Sequence, residues 1–344
     1  MSSTRAWRNI LERFGPLAAL LALIAGTAII EHFKVADPAD RAFLTARNFA
    51  NIFGQWSYVG FVALGMTFVI ILGGIDLSVG ALVAVVAGGA VYALNAAVEQ
   101  GGFSPGLAVA VGCAVCLLAG PLLGLINGFM ISKGRLAPFV ATLGTLAIYR
   151  SLILAPSDGS EIRSSVSEFA TIGAATLTVP FITSGDSPVN IRVSVIVLVV
   201  CAVLAQLLLS RTVFGRQVFA IGDNAVSARY AGIRADRITM LVYALCGLGC
   251  GIAALFQSSR LNSVSSSTLG LYYELDAIAA VVIGGTRLQG GAGSIFGTVV
   301  GVLIMGVTSN MLNMLDVSTH YQGLVKGCII IGAVLLQRLL SRGR

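Results

Sequence analysis

Three carboxylates stand inside otherwise apolar sequence: Asp76 in Gly73-Gly74-Ile75-Asp76-Leu77-Ser78-Val79-Gly80, and Glu274 and Asp276 just after the Tyr272-Tyr273 pair. A charge at the centre of a membrane helix costs ~2.5–3.5 kcal/mol on insertion scales, so acids kept there are candidates for a transport pathway or a proton relay. Asp76 follows a double glycine that breaks a helix, and irregular backbone at membrane depth is tolerated where it is buried in protein or lines a wet cavity. Two readings of Asp76 stay open. It lines or gates such a cavity, or its carboxylate caps free N–H groups at the start of the next helix. Glu274 and Asp276 lie two apart and do not share a helix face. They face a pathway, or they touch water in the headgroup region. Arg150, also in an apolar segment, needs a partner if buried, and Glu274 or Asp276 is one candidate.

Other chemistries find little support. Cys113 and Cys116 form a C-x-x-C, but it lies in the middle of an apolar run and the chain has only two histidines, His32 and His320. The six cysteines read as small buried hydrophobes, with no disulfide and no metal site expected. No G-x-x-x-x-G-K-[ST] loop occurs, and the glycine cluster at 284–293 has no Lys-Ser or Lys-Thr behind it, so the chain has no nucleotide site of its own. No nucleophile–base constellation appears; neither an enzyme nor a bound cofactor is expected.

The elements that must carry these acids are membrane helices. Apolar residues make up 56 % of 344 positions and charged residues 11 %, with mean hydropathy +0.91. A soluble domain of this length carries about 25 % charge to coat its surface. The net charge of +7 is spread singly between apolar runs, which marks membrane topology and not a nucleic-acid footprint. A helix needs ~20 apolar residues to cross. That rule predicts an all-α, polytopic bundle of ten spans near 15–31, 57–74, 77–98, 106–128, 137–155, 191–209, 239–257, 270–287, 294–315 and 322–338. The eighth is the weakest, holding two acids and ending in glycines. The first reads as a retained anchor after Arg5, Arg8 and Arg13. Residues 40–56 read as an amphipathic interfacial helix. With both termini cytoplasmic, fourteen Lys and Arg fall in inside segments and six outside, the sign of the positive-inside rule. Residues 1–14 and 339–344 are then cytoplasmic tails around a membrane domain at 15–338. The 156–190 segment is a periplasmic loop, rich in Ser, Thr and β-branched residues, that suits a short strand pair. A faint internal echo relates Gly73–Ala81 to Gly284–Ala292, as transporter repeats do.

The inside loop at 210–238 is the other candidate. Asp223 or Asn224 can start a short helix and Gly232 can end it. Small residues between them, Ala225, Ser227, Ala228 and Ala231, would let another protein approach. The alternative is an ordinary basic loop that holds topology.

Several stretches in order resemble the ribose-type monosaccharide permease family of ATP-binding-cassette (ABC) importers, over roughly residues 45–337. They are Gly73–Gly80, Asn127-Gly128, Pro138–Thr145, Gly215-Arg216, Ala220-Ile221-Gly222 with Asn224, Gly232-Ile233, Glu274-Leu275 with Ala277–Val282, and Gly284-Gly285, Gly290-Gly291 and Gly293-Ser294. The resemblance implies a bacterial inner-membrane permease that pairs with a second, often identical, permease subunit. A cytoplasmic ABC ATPase drives it and a periplasmic sugar-binding protein delivers a monosaccharide or polyol. It also implies that the 215–233 loop is the main ATPase contact, through Gly215, Arg216, Gly222, Asn224, Ala228 and Gly232. Phe219 stands where the family commonly has tyrosine, and Ser227 where alanine is usual. Candidate pathway groups are Asp76, Asn127, Glu274, Asp276, Asn310 and Asn313, though polar side chains also bridge membrane helices. The rival reading is a carrier driven by an ion gradient, with Asp76, Glu274 and Asp276 as proton sites.

Overall fold

The computed structural model describes residues 2–35, 37, 41–184 and 187–341. Arg342 and Arg344 of the expected inside charges lie outside the described residues, as do Asp186 of the 156–190 loop, His320's side chain and the side chains of Arg5, Arg8, Arg13 and Arg338. In chain order the elements are α1 (Ser2–Lys34), α2 (Ala46–Ile71), α3 (Val79–Glu99), α4 (Pro105–Ser132), α5 (Pro138–Ser157), β1 (Glu161–Arg163), α6 (Ala170–Ala174), β2 (Thr176–Ser184) and β3 (Ser187–Arg192). There follow α7 (Val193–Arg211), α8 (Val213–Asp223), α9 (Ala225–Tyr230), α10 (Ala235–Leu261), β4 (Ser263–Ser265), α11 (Tyr273–Ile283), α12 (Ile295–Met314) and α13 (Thr319–Ser341).

Among the described residues, eight helices are long and apolar enough to cross a membrane: α1 from Gly15, α2, α3, α4, α5, α7, α10 and α12. The expected full span at 270–287 is corrected. α11 has 11 residues, about 16 Å of helix against a hydrocarbon core of ~30 Å. It is bounded by Gly270 at φ +72° and Gly285 at φ +90°, backbone that glycine adopts without a Cβ penalty. α13 has the length, at 23 residues, but is not among the eight. The separate interfacial helix at 40–56 is not formed either. From Ala46 that stretch is the first half of α2, and Phe43 is fully buried with Ile52 against Leu20, Val300 and Ile304. Phe43 and Phe49 serve the contact of α1 with α12, and Trp56 lies against Gly306 of α12, so packing outweighs an interfacial position.

Outside the helices, β2 pairs antiparallel with β3, Thr176 opposite Arg192, as the composition of 156–190 suggested. β1 pairs with β4, Glu161 opposite Ser265, and this joins that loop to the chain after α10. Ser263 Oγ donates to Glu161 Oε1 at 2.7 Å; that bond, with Arg163 beside it, holds the Glu161 carboxyl below its ordinary range.

α2 runs through the middle of the bundle, 94 % of its most apolar 18-residue stretch buried, whereas α7 has only 11 % buried and lies on the outside. The most extensive helix contact is between α4 and α10. Gly120, Gly124 and Gly128 on α4, each four apart, meet the backbone of Met240, Tyr243, Gly247 and Gly251 on α10. A methyl group on Gly124 would sit 3.0 Å from the Tyr243 carbonyl carbon and 3.1 Å from Gly247 Cα. Small residues at this spacing let membrane helices touch backbone to backbone and replace a hydrophobic driving force that lipid does not supply.

Candidate functional site: two broken helices and the helix of the 210–238 loop

α2 and α11 end in the same way. Gly73 N donates to Ile70 O and Gly74 N to Val69 O, both at 2.9 Å; Gly285 N donates to Val282 O at 2.9 Å and Thr286 N to Val281 O at 3.2 Å. Gly73 and Gly285 both have φ +90°. This is the Schellman pattern, which satisfies the last carbonyls of a helix with the N–H groups that follow a left-handed glycine. The internal echo is therefore geometric, but Gly73 corresponds to Gly285, one residue off the match read from sequence. After each break a serine precedes a new helix, Ser78 before α3 and Ser294 before α12.

The two breaks touch each other and the end of α8. Gly291 N donates to Ile71 O at 2.9 Å. A methyl group on Gly290 would lie 3.1 Å from Gly73 Cα, and one on Gly222 would lie 2.7 Å from Gly291 N and overlap Ile71 O. Three chain segments thus meet at Gly222 with no side chain between them.

Above the first break lies a buried polar cluster. Asp76, 1 % exposed, accepts from Ser78 N at 2.9 Å and Ser78 Oγ at 2.6 Å. Asn127 Nδ2 donates to Ser78 Oγ at 2.8 Å, and Tyr149 OH reaches the Leu123 carbonyl at 3.0 Å and Asn127 Oδ1 at 3.5 Å. Thr142 Oγ1 donates to Ile75 O at 3.4 Å. Asp76 and Asn127, two predicted pathway residues, are thus brought together, and the carboxylate holds the start of α3.

The other four separate. Asp276 is paired with Lys326 at 3.0 Å, and the Lys326 ammonium also lies 5.2 Å from the centre of the Trp56 ring. Arg150 does not pair with either acid among the described salt bridges. Its Nη1 donates to Ser266 O at 3.1 Å and Leu269 O at 3.0 Å, carbonyls of the irregular segment before α11 that have no ladder of their own. Glu274 is half-buried, its carboxylate against Gly80 at the start of α3. Asn310 and Asn48 exchange amide hydrogen bonds at 3.0 and 3.1 Å, tying α12 to α2. Asn313 Oδ1 accepts from Gln322 Nε2 at 2.8 Å. Removing one member of a buried ion pair costs about 3–5 kcal/mol, because the other charge stays behind unpaired. Lys326→Met is therefore expected to lower the thermal stability of the detergent-solubilised protein strongly. Adding Asp276→Asn should restore most of it, read by size-exclusion chromatography after heating.

In the 210–238 loop, Asn224 starts α9, accepting from Val226 N at 3.0 Å and Ser227 N at 2.9 Å, and Gly232 follows it at φ +81°. Gly215 and Ala228 face inward, and Gly215 packs on the Leu208 and Leu209 carbonyls. Arg216, Asn224 and Gly232 are exposed. α9 is exposed except at Ala228, and the large apolar groups it presents outward are Val226, 63 % exposed, and Tyr230, 89 % exposed. Their i, i+4 spacing was visible in sequence, but on a six-residue helix it is too short to register as a face.

Residues 48–334 match the family model for the branched-chain amino acid transport system/permease component. The chain is 40 % identical to the ribose import permease protein RbsC of Bacillus subtilis over 97 % of its length and 95 % of that protein's. It is 37 % identical to the D-allose transport system permease protein AlsC of Escherichia coli (87 % and 86 % covered). It is 33 % identical to the xylose transport system permease protein XylH of Haemophilus influenzae (92 % and 95 % covered). No solved structure matches the chain.

Proposed function

The chain belongs to the ribose-type branch of this family of sugar ABC permeases, multi-pass proteins of the bacterial inner membrane, and on that premise we propose how it works. It is the membrane subunit through which a monosaccharide or related polyol enters the cytoplasm, driven by a separate ATPase and supplied by a periplasmic binding protein. Ribose, allose and xylose, named for its relatives, are the sugars to test first. In this reading the chain crosses ten times, with α11 and the irregular segment before it making the eighth passage. Both termini are cytoplasmic, and a second copy completes the pathway. Glu274, half-buried beside the exposed Tyr272, is the acid we place on that pathway, with Asp76 and Asn127 behind it as the clamp on α3.

The observation that carries the coupling step is the convergence of both helix breaks on Gly222. A docked ATPase holds α9 by Val226 and Tyr230; its closure moves α8, and Gly222 passes the movement to Gly73 and Gly291 together. A gradient-driven carrier has less to work with. Asp276 is engaged with Lys326 and Asp76 with Ser78, which leaves, of the three acids, Glu274 with the Arg150 charge near it.

Affinity purification from mild-detergent extracts of the native host tests this. An ATPase is expected to accompany the wild type and to be lost from Val226→Glu/Tyr230→Glu, whose changes lie on exposed side chains. If no ATPase accompanies the wild type in any of several mild detergents, the importer reading fails.

A further inference from the structure

Between α2, α7 and α10 lies an apolar groove of about 250 Å³, lined by Phe61 and Phe68, Cys201, Leu204 and Leu208, and Ile252 among others. α7 and α10 both pack on α2, and the groove is the gap left between them. Its lining offers a sugar nothing to bind, so it is no part of the pathway described above. Its floor is set by Gly65 and Gly249, which bring α2 and α10 close: a methyl on Gly65 would lie 2.5 Å from Cys246 Cα.

The dimensions decide what fits. Phe61 to Phe68 spans ~10 Å along a helix, about two thirds of one leaflet of a hydrocarbon core ~30 Å thick. The groove's lining is almost wholly apolar, which suits a hydrocarbon chain and gives a polar segment no partner. A single hydrocarbon chain is narrow enough.

The groove also has a charged end. Cys201, Leu204 and Leu208 recur at helical spacing, and the next position on that face is Arg211, the exposed last residue of α7. α8 then folds back so that Gly215 rests on the Leu208 carbonyl and Phe214 lies 6.2 Å from Phe68, ring centre to ring centre. That places the exposed Arg216 at the same end. α10 begins there with Arg234 and Arg237 nearby in sequence, while Asp236 is already engaged by Lys133 at 2.8 Å. Neither Arg211 nor Arg216 has a carboxylate partner among the described salt bridges.

We propose that this groove is a lipid site: it holds one acyl chain of an anionic phospholipid whose phosphate sits between Arg211 and Arg216. The site depends on local shape and charge, not on the transport reading.

Native mass spectrometry of the full chain in detergent, titrated with dioleoyl phosphatidylglycerol or dioleoyl phosphatidylcholine, tests it. Wild type should hold one phosphatidylglycerol more tightly than phosphatidylcholine, by ~5-fold for each arginine near the phosphate. Ala205→Trp, which fills the groove, should lose that lipid. Arg211→Gln/Arg216→Gln should bind the two lipids equally. Should Ala205→Trp not be recovered folded, a phosphatidylglycerol with a photoreactive acyl chain should label wild type at Cys201, Ala205 and Leu245. Labelling spread evenly over the exposed faces of α4, α5 and α7 would overturn the proposal. So would an Ala205→Trp protein that keeps its lipid, or one that keeps it and instead loses self-association, which would make the groove a seat for a second copy.

Discussion

Replacing Gly222 by valine is expected to lower sugar uptake by ~100-fold or more, equivalent to about 2.7 kcal/mol on the rate-limiting barrier, while the permease remains in the membrane near its wild-type level. A Cβ at this position overlaps the Ile71 carbonyl and comes within 2.7 Å of Gly291 N. Both obstacles are backbone, one the last residue of α2 and the other in the connection between α11 and α12, and the two are hydrogen-bonded to each other, so neither can give by rotating a side chain. α8 must tilt away from α2 instead. Its other contacts survive that tilt: Val218 and Ile221 are buried against the bundle, and Phe214 packs on Phe68 at the far end of the helix. The bundle therefore stays folded while the contact between α8 and the two breaks opens. Uptake should fall, and the ATPase activity of the purified complex should cease to respond to the sugar-loaded binding protein. Asn224→Ala is the control. It removes the cap of α9, worth ~1 kcal/mol of local helix stability, but leaves the joint untouched, and should reduce uptake by well under tenfold. Equal loss in both variants would mean that the loop acts only by holding its partner.

The second large effect is on folding. Gly124→Leu forces four side-chain carbons between α4 and α10 where their backbones already touch at Tyr243 and Gly247. Overpacking by a few methylenes costs about 1–3 kcal/mol where side chains can repack; against main chain the helices must separate, and the loss exceeds that range. Because α10 also packs on α2 and α3, the damage reaches the centre of the bundle. Folded protein recovered by size exclusion after heating should fall well below wild type, since each ~1.4 kcal/mol lost shifts the folding equilibrium ~10-fold toward the unfolded state. Leu118→Ala is the comparison. It lies on α4 but is 71 % exposed, and should leave the yield unchanged.

Much of the site could be read from the residues. The double glycine before Asp76 announced a helix break, Asn224 and Gly232 marked a short helix between them, and the 156–190 composition suggested strands. Each of these is a local rule: cap chemistry, glycine at positive φ, β-branched enrichment. What stayed hidden depended on contacts distant in sequence. For Arg150 a carboxylate was one candidate partner; Glu274 is near enough to act on its charge, but the arginine's hydrogen bonds go to carbonyls of the segment at 266–269. Asp276 found Lys326, fifty residues away, because α13 packs beside α11. The shortness of α11 was not visible because apolar residues continue through Gly284, and only its left-handed glycines show where the helix stops. The spacing of Gly120, Gly124 and Gly128 was legible all along; what it lacked was the partner face on α10. The pairing of Asn310 with Asn48 shows the same limit, since an amide inside an apolar helix reads alike whether it faces a pathway or another helix.

Reconstitution tests the central claim most directly. The permease is placed in liposomes with the ATPase that accompanies it, and uptake of labelled ribose, allose and xylose is followed with the periplasmic binding protein outside and ATP on the ATPase side. The account predicts that at least one of the three accumulates, only when ATPase, ATP and binding protein are all present, and that a proton or sodium gradient neither replaces ATP nor adds to it. Accumulation by the permease alone, driven by such a gradient and abolished by Glu274→Gln, would contradict the account and make the chain a secondary carrier.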